Sequence, residues 1–349
     1  MKIVHNEAML NEYLERAEDV SMILIDKFLD DAKEVDVDAL SDAKSVHIGG
    51  IMEHIEEAGI HSGDSACILP PQTLSDKELK EIRRVTEILA LKLKVKGLLN
   101  IQFAVKDGKV YVLEVNPRAS RTIPFVSKAT GVPLAKLAAR LMIGENLKDI
   151  LPKIPVQPFV AVKEAVLPWD RFPGSDVRLS PEMRSTGEVM GMDKSFPLAF
   201  FKSQLAAGSS VPLEGSILFS LTNQDKEKSL PIVKDLVELG FNIMATDGTH
   251  AFFKSRGLPS ESVKKISQGR PNVVDLIKNR QVQMVVNTPS QTSVSEGDGY
   301  EIRQAALKYR LPIVTTVSSL HAFKESIVQL KKKGAGFNVN SLQEFFGKN

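Results

Sequence analysis

Cysteine is nearly absent: Cys67 is the single thiol in 349 residues. A lone cysteine excludes an intramolecular disulfide framework and sets the expectation of a reducing, cytoplasmic environment. Glycine is missing from the first 48 residues, so no glycine-rich phosphate loop opens the chain. Neither sign of charge dominates, with 45 Lys+Arg against 43 Asp+Glu. A net charge of +2 gives no reason to expect nucleic acid or an anionic membrane as partner. No apolar run approaches the ~18 residues of a membrane span, and no basic-then-apolar leader pattern is present. Short repeats and low-complexity tracts are lacking too. What is there is a chain of α/β-type composition, long enough for roughly two domains.

"SMILIDKFL", "EVDVDAL" and "SVHIGGIMEHIE" read as strands, and in the second Glu34, Asp36 and Asp38 alternate with Val35, Val37 and Ala39. A polar loop, "EEAGIHSGDSA", follows. Ser75 and Glu78 form a capping-box pattern opening a helix with an apolar stripe of Leu79, Ile82, Val85 and Leu89. "LLNIQFAVKDGKVYVLEVN" reads as a hairpin. A three-residue loop of Asp107, Gly108 and Lys109 gives the pairs Ile101/Val115, Phe103/Leu113 and Val105/Tyr111. That register sets Gln102 opposite Glu114, with Asn116 beside them. "ATGVPLAKLAARLMIGE" reads as one helix with Pro133 near its start. Residues 148–212 are Pro-rich and weakly periodic, with "VAVKEAVLP" a strand and "SPEMRSTGEVMG" a loop. From 215 onward strands and helices alternate ("SILFS", "NIMAT", "VQMVVN" and "PIVTT", each followed by a helix), which predicts a parallel sheet.

Gln102, Glu114 and Asn116 make an oxygen-rich patch suited to a hard cation. Arg118 and Arg121 follow, and guanidinium suits phosphate. Metal beside arginine is the arrangement of phosphoryl transfer; the competing reading is a solvated sheet face. Glu53, Glu56, Glu57, His61, Ser62 and Asp64 form a second polar group, able to hold an amine-bearing ligand or a phosphate, or simply a surface loop. In the second half, strands end at Ser220, Thr246 and Asn287, and further hydroxyls stand at Thr249, Thr288, Ser290, Thr315 and Thr316, with Lys226 and Lys265 nearby. Ligands bind outside the carboxyl ends of such strands, and helix N-termini there attract anions; ordinary N-capping is the alternative.

The stretches "EVDVDAL", "IGGIMEHIEEAGIHSGDSACILPP", "GLLNIQFAVKDGKVYVLEVNPRASRTIPFVSKATGVPLAKLAARL" and "SPEMRSTGEVMG" closely resemble the large subunit of carbamoyl-phosphate synthetases, over the second ATP-grasp unit. The resemblance implies the C-terminal half of an ATP-grasp fold over 1–147 and a segment completing the synthetase unit over 148–212. It implies ATP, Mg2+ or Mn2+ at Gln102, Glu114 and Asn116, and K+ as an optional further ion. Arg118 and Arg121 would be the catalytic arginines facing the phosphates. Leu29 and Glu34 would contact the nucleoside, and Gly59, Ile60, His61 and Ser62 would line the same ATP site. Glu56, Asp64 and Glu164 would form an acidic set for an ornithine-like activator.

Residues 213–349 resemble the methylglyoxal-synthase-like (MGS-like) regulatory domain, a Rossmann-like parallel-sheet fold, through "ATDGTH", "KKISQGRPNVVDLIKN", "VVNTPS" and "PIVTT". "VVNTPSQTS" lacks the Asp that lyase chemistry needs in that family. Gly248 and Phe252 stand where a Trp marks N-acetylglutamate regulation, which favours UMP or IMP. The resemblance implies Ser220, Lys226, Thr246, Thr249, Lys265, Asn287 and Thr288 as the effector shell, with Thr315 reaching toward the ornithine site. A glutaminase small subunit and the remainder of the large subunit are the implied partners. In this family a glycine-rich loop comes from the half preceding Met1, so the chain is expected to be a fragment or one piece of a split enzyme. The parent reaction is ATP-dependent phosphorylation of carbamate for arginine and pyrimidine biosynthesis; the alternative is a regulatory module that binds a nucleotide effector only.

Overall fold

The computed structural model describes residues 4, 6–16, 22–29, 31–153, 158–171, 174–289, 297–334 and 336–347. The first part is a seven-stranded sheet built from β1 (Lys33–Asp42), β2 (Val46–His54), β3 (Cys67–Leu69), β4 (Lys96–Lys106), β5 (Lys109–Asn116), β6 (Val160–Val166) and β7 (Gly187–Asp193). Its order is β5-β4-β1-β2-β3-β6-β7, antiparallel throughout. The helices are α1 (Glu7–Arg16), α2 (Asp76–Lys92), α3 (Ile123–Thr130), α4 (Leu134–Met142), α5 (Leu147–Ile150) and α6 (Phe196–Ala206).

Both faces of this sheet are covered. On one, Ile82 and Ala90 of α2 bury Val35, Val37, Ile101 and Phe103. The capping box holds α2 as the sequence predicts: Ser75 Oγ accepts from the Glu78 N–H, and Glu78 accepts from the Ser75 N–H. On the other face α3 and α4 cover Leu40 and Met52. They come this close because of a glycine pair. A Cβ on Gly49 would lie 2.8 Å from Leu134, and one on Gly50 2.9 Å from Val126. Gly49 is also the extra residue of a bulge, since Asp38 pairs with Gly50 and Ala39 with Ile48.

The second sheet is parallel and runs β10-β9-β8-β11-β12, from β8 (Ser216–Ser220), β9 (Asn242–Thr246), β10 (Glu261–Val263), β11 (Met284–Asn287) and β12 (Ile313–Val314). Helices α7 (Asn223–Glu238), α8 (Asp247–Ser255), α9 (Val273–Lys278), α10 (Asp298–Lys308) and α11 (Val317–Lys332) connect and cover it, and α12 (Leu342–Phe345) follows. One apolar cluster joins the two sheets, running from Ile55, Val162 and Phe200 to Phe219, Phe241 and Phe323. Among the described residues no helix is long and apolar enough to cross a membrane.

Four expectations need correction. Residues 22–29 form no strand and are mostly exposed; Ser21 lies outside the described residues. The hairpin turns on two residues, Asp107 and Gly108, both at positive φ, so Phe103 pairs with Val112 and Val105 with Val110. The helix expected across Ala129–Glu145 is broken, because Gly131 ends α3 in the left-handed conformation and Pro133 precedes α4. "SPEMRSTGEVMG" is a loop only to Thr186; the rest enters β7. Residues 148–212 contain β6, β7 and α6, and the two strands continue the first sheet.

Candidate functional site

The alternation in β1 acquires meaning from its neighbours. Asp36 pairs with Gln102, and Gln102 with Glu114; Asp38 pairs with Asn100, and Asn100 with Asn116. Residues two apart on a strand share a face, so these six polar side chains form two rows across β1, β4 and β5. Gln102 meets Glu114 because β5 carries a bulge. The two-residue turn alone would set Leu113 opposite Gln102, but Leu113 is the extra residue and the ladder resumes at Glu114.

Asp38 anchors the arginine loop. Its side chain is fully buried and accepts hydrogen bonds from Asn100 Nδ2 (2.9 Å), Ser120 Oγ (2.7 Å) and Thr122 Oγ1 (2.5 Å). Burial raises its pKa to about 6 although all three bonds pull it down. Ser120 and Thr122 flank Arg121, so this grip aims the loop over the sheet. A cavity of about 300 Å³ results, lined by Gln102, Glu114, Arg118, Arg121, His61 and Ser62, and also by Asp36 and Glu188. Gln102 Nε2 donates to Ser62 Oγ at 3.2 Å, which ties the 61–64 loop to the polar face of the sheet.

All the ligand candidates here are oxygens, the donor set of a hard divalent cation. Asp36 Oδ1 and Glu188 Oε1 are buried without a hydrogen-bond partner, as is Asn116 Nδ2. Two orphaned carboxylate oxygens on the wall of one cavity fit a cation. The residues present therefore suit the implied metal.

Behind the cavity lies a buried ionic network that sequence reasoning missed. Lys163 is fully buried and donates to Ser62 O at 3.0 Å. Burial disfavours its charge, yet Cys67, Glu188 and Asp36 hold its pKa above the usual lysine value. His54 Nδ1 lies 3.5 Å from Glu34 and Nε2 3.3 Å from Asp36. Burial opposes its protonation, but Cys67 and Asp36 raise its pKa well above normal. Asp36, His54 and Cys67 bring ligand atoms within 4.8 Å of one another. His54 thus stands between the carboxylates of Glu34 and Asp36 in one buried group. The carboxylates of Asp38 and Glu188 find their partners across strands distant in sequence, so no local spacing marked them.

The other expected positions divide. Glu34 Oε1 accepts from Gly59 N–H at 2.9 Å, and Phe28 lies beside Gly59, so Leu29, Glu34, Gly59 and Ile60 gather at one edge, outside the 300 Å³ cavity lining. Glu56 and Glu164 are half-buried near each other. Burial raises both pKa values, and Glu56 helps push Glu164 to about 8. Asp64 is committed to the backbone, accepting from Arg184 N–H (2.8 Å) and Ser185 N–H (2.9 Å). Thr315 follows β12, half-buried, and none of the hydrogen bonds of Glu56, Asp64 and Glu164 reaches it.

At the second sheet the strand ends converge. Thr246 Oγ1 lies 3.4 Å from Ser220 Oγ, and Asn287 Nδ2 donates to Ser220 O at 3.2 Å. Thr249 Oγ1 accepts from Leu221 N–H and Thr288 Oγ1 from Thr222 N–H. Neither Thr246 nor Thr222 caps its helix with its side chain, so the capping alternative fails at α7 and α8. Lys226 donates to Gly248 O, and burial together with nearby Lys265 lowers its pKa. Two cations and an open helix start make an anion-favouring corner. Ser290 lies outside the described residues.

Comparison with known proteins bears on both halves. Residues 1–150 match the family model for the ATP-binding domain of the carbamoyl-phosphate synthase L chain, and residues 228–315 match the MGS-like domain. The chain is 48% identical over 369 aligned residues to the "Carbamoyl phosphate synthase large chain, C-terminal section" of Aquifex aeolicus, covering 99% of this chain and 68% of that one. It is 47% identical to a Methanosarcina barkeri large chain, covering 99% and 87%. The large chain of Archaeoglobus fulgidus is 52% identical, and there the match covers 99% of this chain but 32% of the relative. The chain belongs to the carbamoyl-phosphate synthase large-chain family.

Proposed function

We propose that this chain supplies the carbamate-phosphorylating face and the effector domain of a carbamoyl-phosphate synthase, with ATP as phosphoryl donor. The observation that carries the reading is the double row of Asp36, Gln102, Glu114 and Asp38, Asn100, Asn116, of which Asp36, Asn100, Gln102 and Glu114 line one cavity with Arg118 and Arg121. Gln102, Glu114 and Asn116 would hold Mg2+ or Mn2+, which when bound neutralises charge on the phosphate oxygens. Arg118 and Arg121 orient and stabilise the transferring group, and Asp38 positions them. His61 and Ser62 close the wall beside Gln102. Leu29, Glu34, Gly59 and Ile60 reach the nucleoside at the edge. Carbamate is itself the nucleophile, so positioning and electrostatics carry the acceleration.

The neighbouring carboxyls of Glu56 and Glu164 favour an amine-bearing activator of the ornithine class. The corner of Ser220, Lys226, Thr246, Thr249, Lys265, Asn287 and Thr288 favours a phosphate-bearing effector such as UMP or IMP. On this reading 1–147 is the ATP-grasp part, 148–212 completes it and 213–349 is the regulatory domain. The partners are a glutaminase subunit and the rest of the large chain, in the cytoplasm, with K+ an optional ion. Placed in a complete large chain, Glu114→Gln is expected to cut carbamate phosphorylation by about 100-fold or more. Near-normal rates would refute the assignment.

A further inference from the structure

The buried group behind the first cavity lies along one row of the sheet. His54 of β2 pairs with Cys67 of β3, and Cys67 with Lys163 of β6. Asp36 of β1 pairs with Met52, and His54 stands two residues on from Met52, so its side chain shares the face of Asp36. Four neighbouring strands each bring one polar side chain to the same face. Of these, Asp36, His54 and Cys67 are only 2%, 6% and 0% exposed.

Asp36, His54 and Cys67 offer one oxygen, one nitrogen and one sulfur, all within 4.8 Å of one another. His54 Nε2 lies 3.3 Å from Asp36 Oδ2. That matches the separation of about 3.3 Å between nitrogen and oxygen ligands of one tetrahedral Zn2+. For a sulfur ligand the same edge is about 3.6 Å, so Cys67 Sγ needs at most about 1 Å of movement to join them. Asp36 Oδ1 is buried without a hydrogen-bond partner, which is costly unless something positive meets it. The other nitrogen of His54 has a carboxylate behind it, with Nδ1 3.5 Å from Glu34 Oε2. A carboxylate in that place fixes the ring and strengthens the imidazole as a ligand, the outer arrangement common at zinc histidines. Glu34 is itself held by Gly59 N–H at 2.9 Å. Lys163 brings a positive charge close to Cys67 and Asp36, but the carboxyls of Glu34, Asp36 and Glu188 outnumber it.

We propose that Asp36, His54 and Cys67 form a second metal site, for a thiophilic divalent cation of the Zn2+ class, behind the oxygen-lined cavity. Gln102, Glu114 and Asn116 offer oxygen alone and suit a hard ion, whereas thiolate and imidazole select a softer one. Binding releases the thiol proton, and any proton on His54, to solvent. Asp36 also lines the first cavity, so the ion draws on a residue of that wall. The site stands whether or not that cavity takes a nucleotide.

The single thiol makes the test clean, because a sulfur-to-metal absorption band in this chain reports Cys67 alone. The full chain is titrated with Co2+, a spectroscopic stand-in for Zn2+, with Mg2+ in excess to compete at sites of oxygen alone. One equivalent is expected to bind with a thiolate-to-cobalt band in the near ultraviolet, and Zn2+ to displace it. No band in the folded wild type overturns the proposal, and so does a band that appears only after unfolding in urea. Cys67→Ser should abolish the band and weaken Zn2+ binding by about 100-fold or more, and Glu34→Gln should weaken it by about 10- to 100-fold. Zn2+ affinity in Cys67→Ser within about threefold of wild type overturns the site. Glu114→Gln should keep both the band and the Zn2+ affinity; loss of both there places the ion at the hard-cation face and overturns it equally. If Cys67→Ser fails to fold, His54→Gln carries the same comparison, with the loss of Zn2+ affinity and of the band as its expected result.

Discussion

Glu164 carries the largest consequence of any single carboxyl here. Burial and its neighbour Glu56 raise its pKa from 4.5 to about 8. A carboxyl raised in the folded state contributes stability that is fully present below its unfolded value and lost as pH climbs through the folded one. Wild type is therefore expected to lose up to about 1.4 kcal/mol per pH unit between roughly pH 5 and 8 from this group. Glu164→Gln should flatten that slope, as read from urea midpoints at pH 5 and pH 8.5, and equal slopes would remove the assignment. Legibility in the sequence followed range. Gln102, Glu114 and Asn116 were recoverable because strand alternation and one hairpin bring them together. Asp38 as the clamp of the arginine loop was not, because Ser120 and Thr122 are more than 80 residues away. Nothing local in "VAVKEAVLP" marks Lys163, which is fully buried and donates to Ser62 O about 100 residues earlier in the chain.

Elements went astray where tertiary contact overrode local pattern. The "GEVMG" that ends "SPEMRSTGEVMG" reads as loop, yet Gly191 is a packing residue: a Cβ there would lie 2.0 Å from Ala199 O, so its absence lets α6 close on β7. The apolar stretch 22–29 reads as strand, but no strand pairs with it among the described residues. In the hairpin the right facing arose from a different turn, with the bulge making up the difference. Deleting Leu113 should leave Gln102 opposite Glu114 in a regular ladder and change Mn2+ affinity by less than about threefold, measured by titration calorimetry. A loss of about 10-fold or more would show that the bulge itself shapes the site. At the start of α8, Thr249 both faces the anion corner and accepts from Leu221 N–H. Thr249→Ala should therefore weaken UMP binding by about 10-fold and also cost about 1 kcal/mol of stability, because a half-buried N–H loses its partner. Calorimetric titration paired with a melting curve reads both, and a change in stability alone would return Thr249 to a structural role.

At the scale of the molecule, the parallel sheet was legible from strand–helix alternation, while the joining of the two halves was not. Phe200 of α6 meets Phe323 of α11 edge to face at 5.3 Å, within the cluster shared by both sheets. Phe200→Ala is expected to cost about 3–5 kcal/mol and to lower a single unfolding transition reported by both sheets. Two separated transitions in wild type would show that the shared cluster does not couple them. The second sheet is also held at a second place. Beyond α11 the chain returns to the first core, where Leu342, Phe345 and Phe346 pack and Phe345 meets Phe159 edge to face at 4.8 Å. A body attached at one point can swing like a door, but one attached at two can only tilt or slide. Motion between the two sheets must then take the form of small shifts in seating rather than a hinged opening.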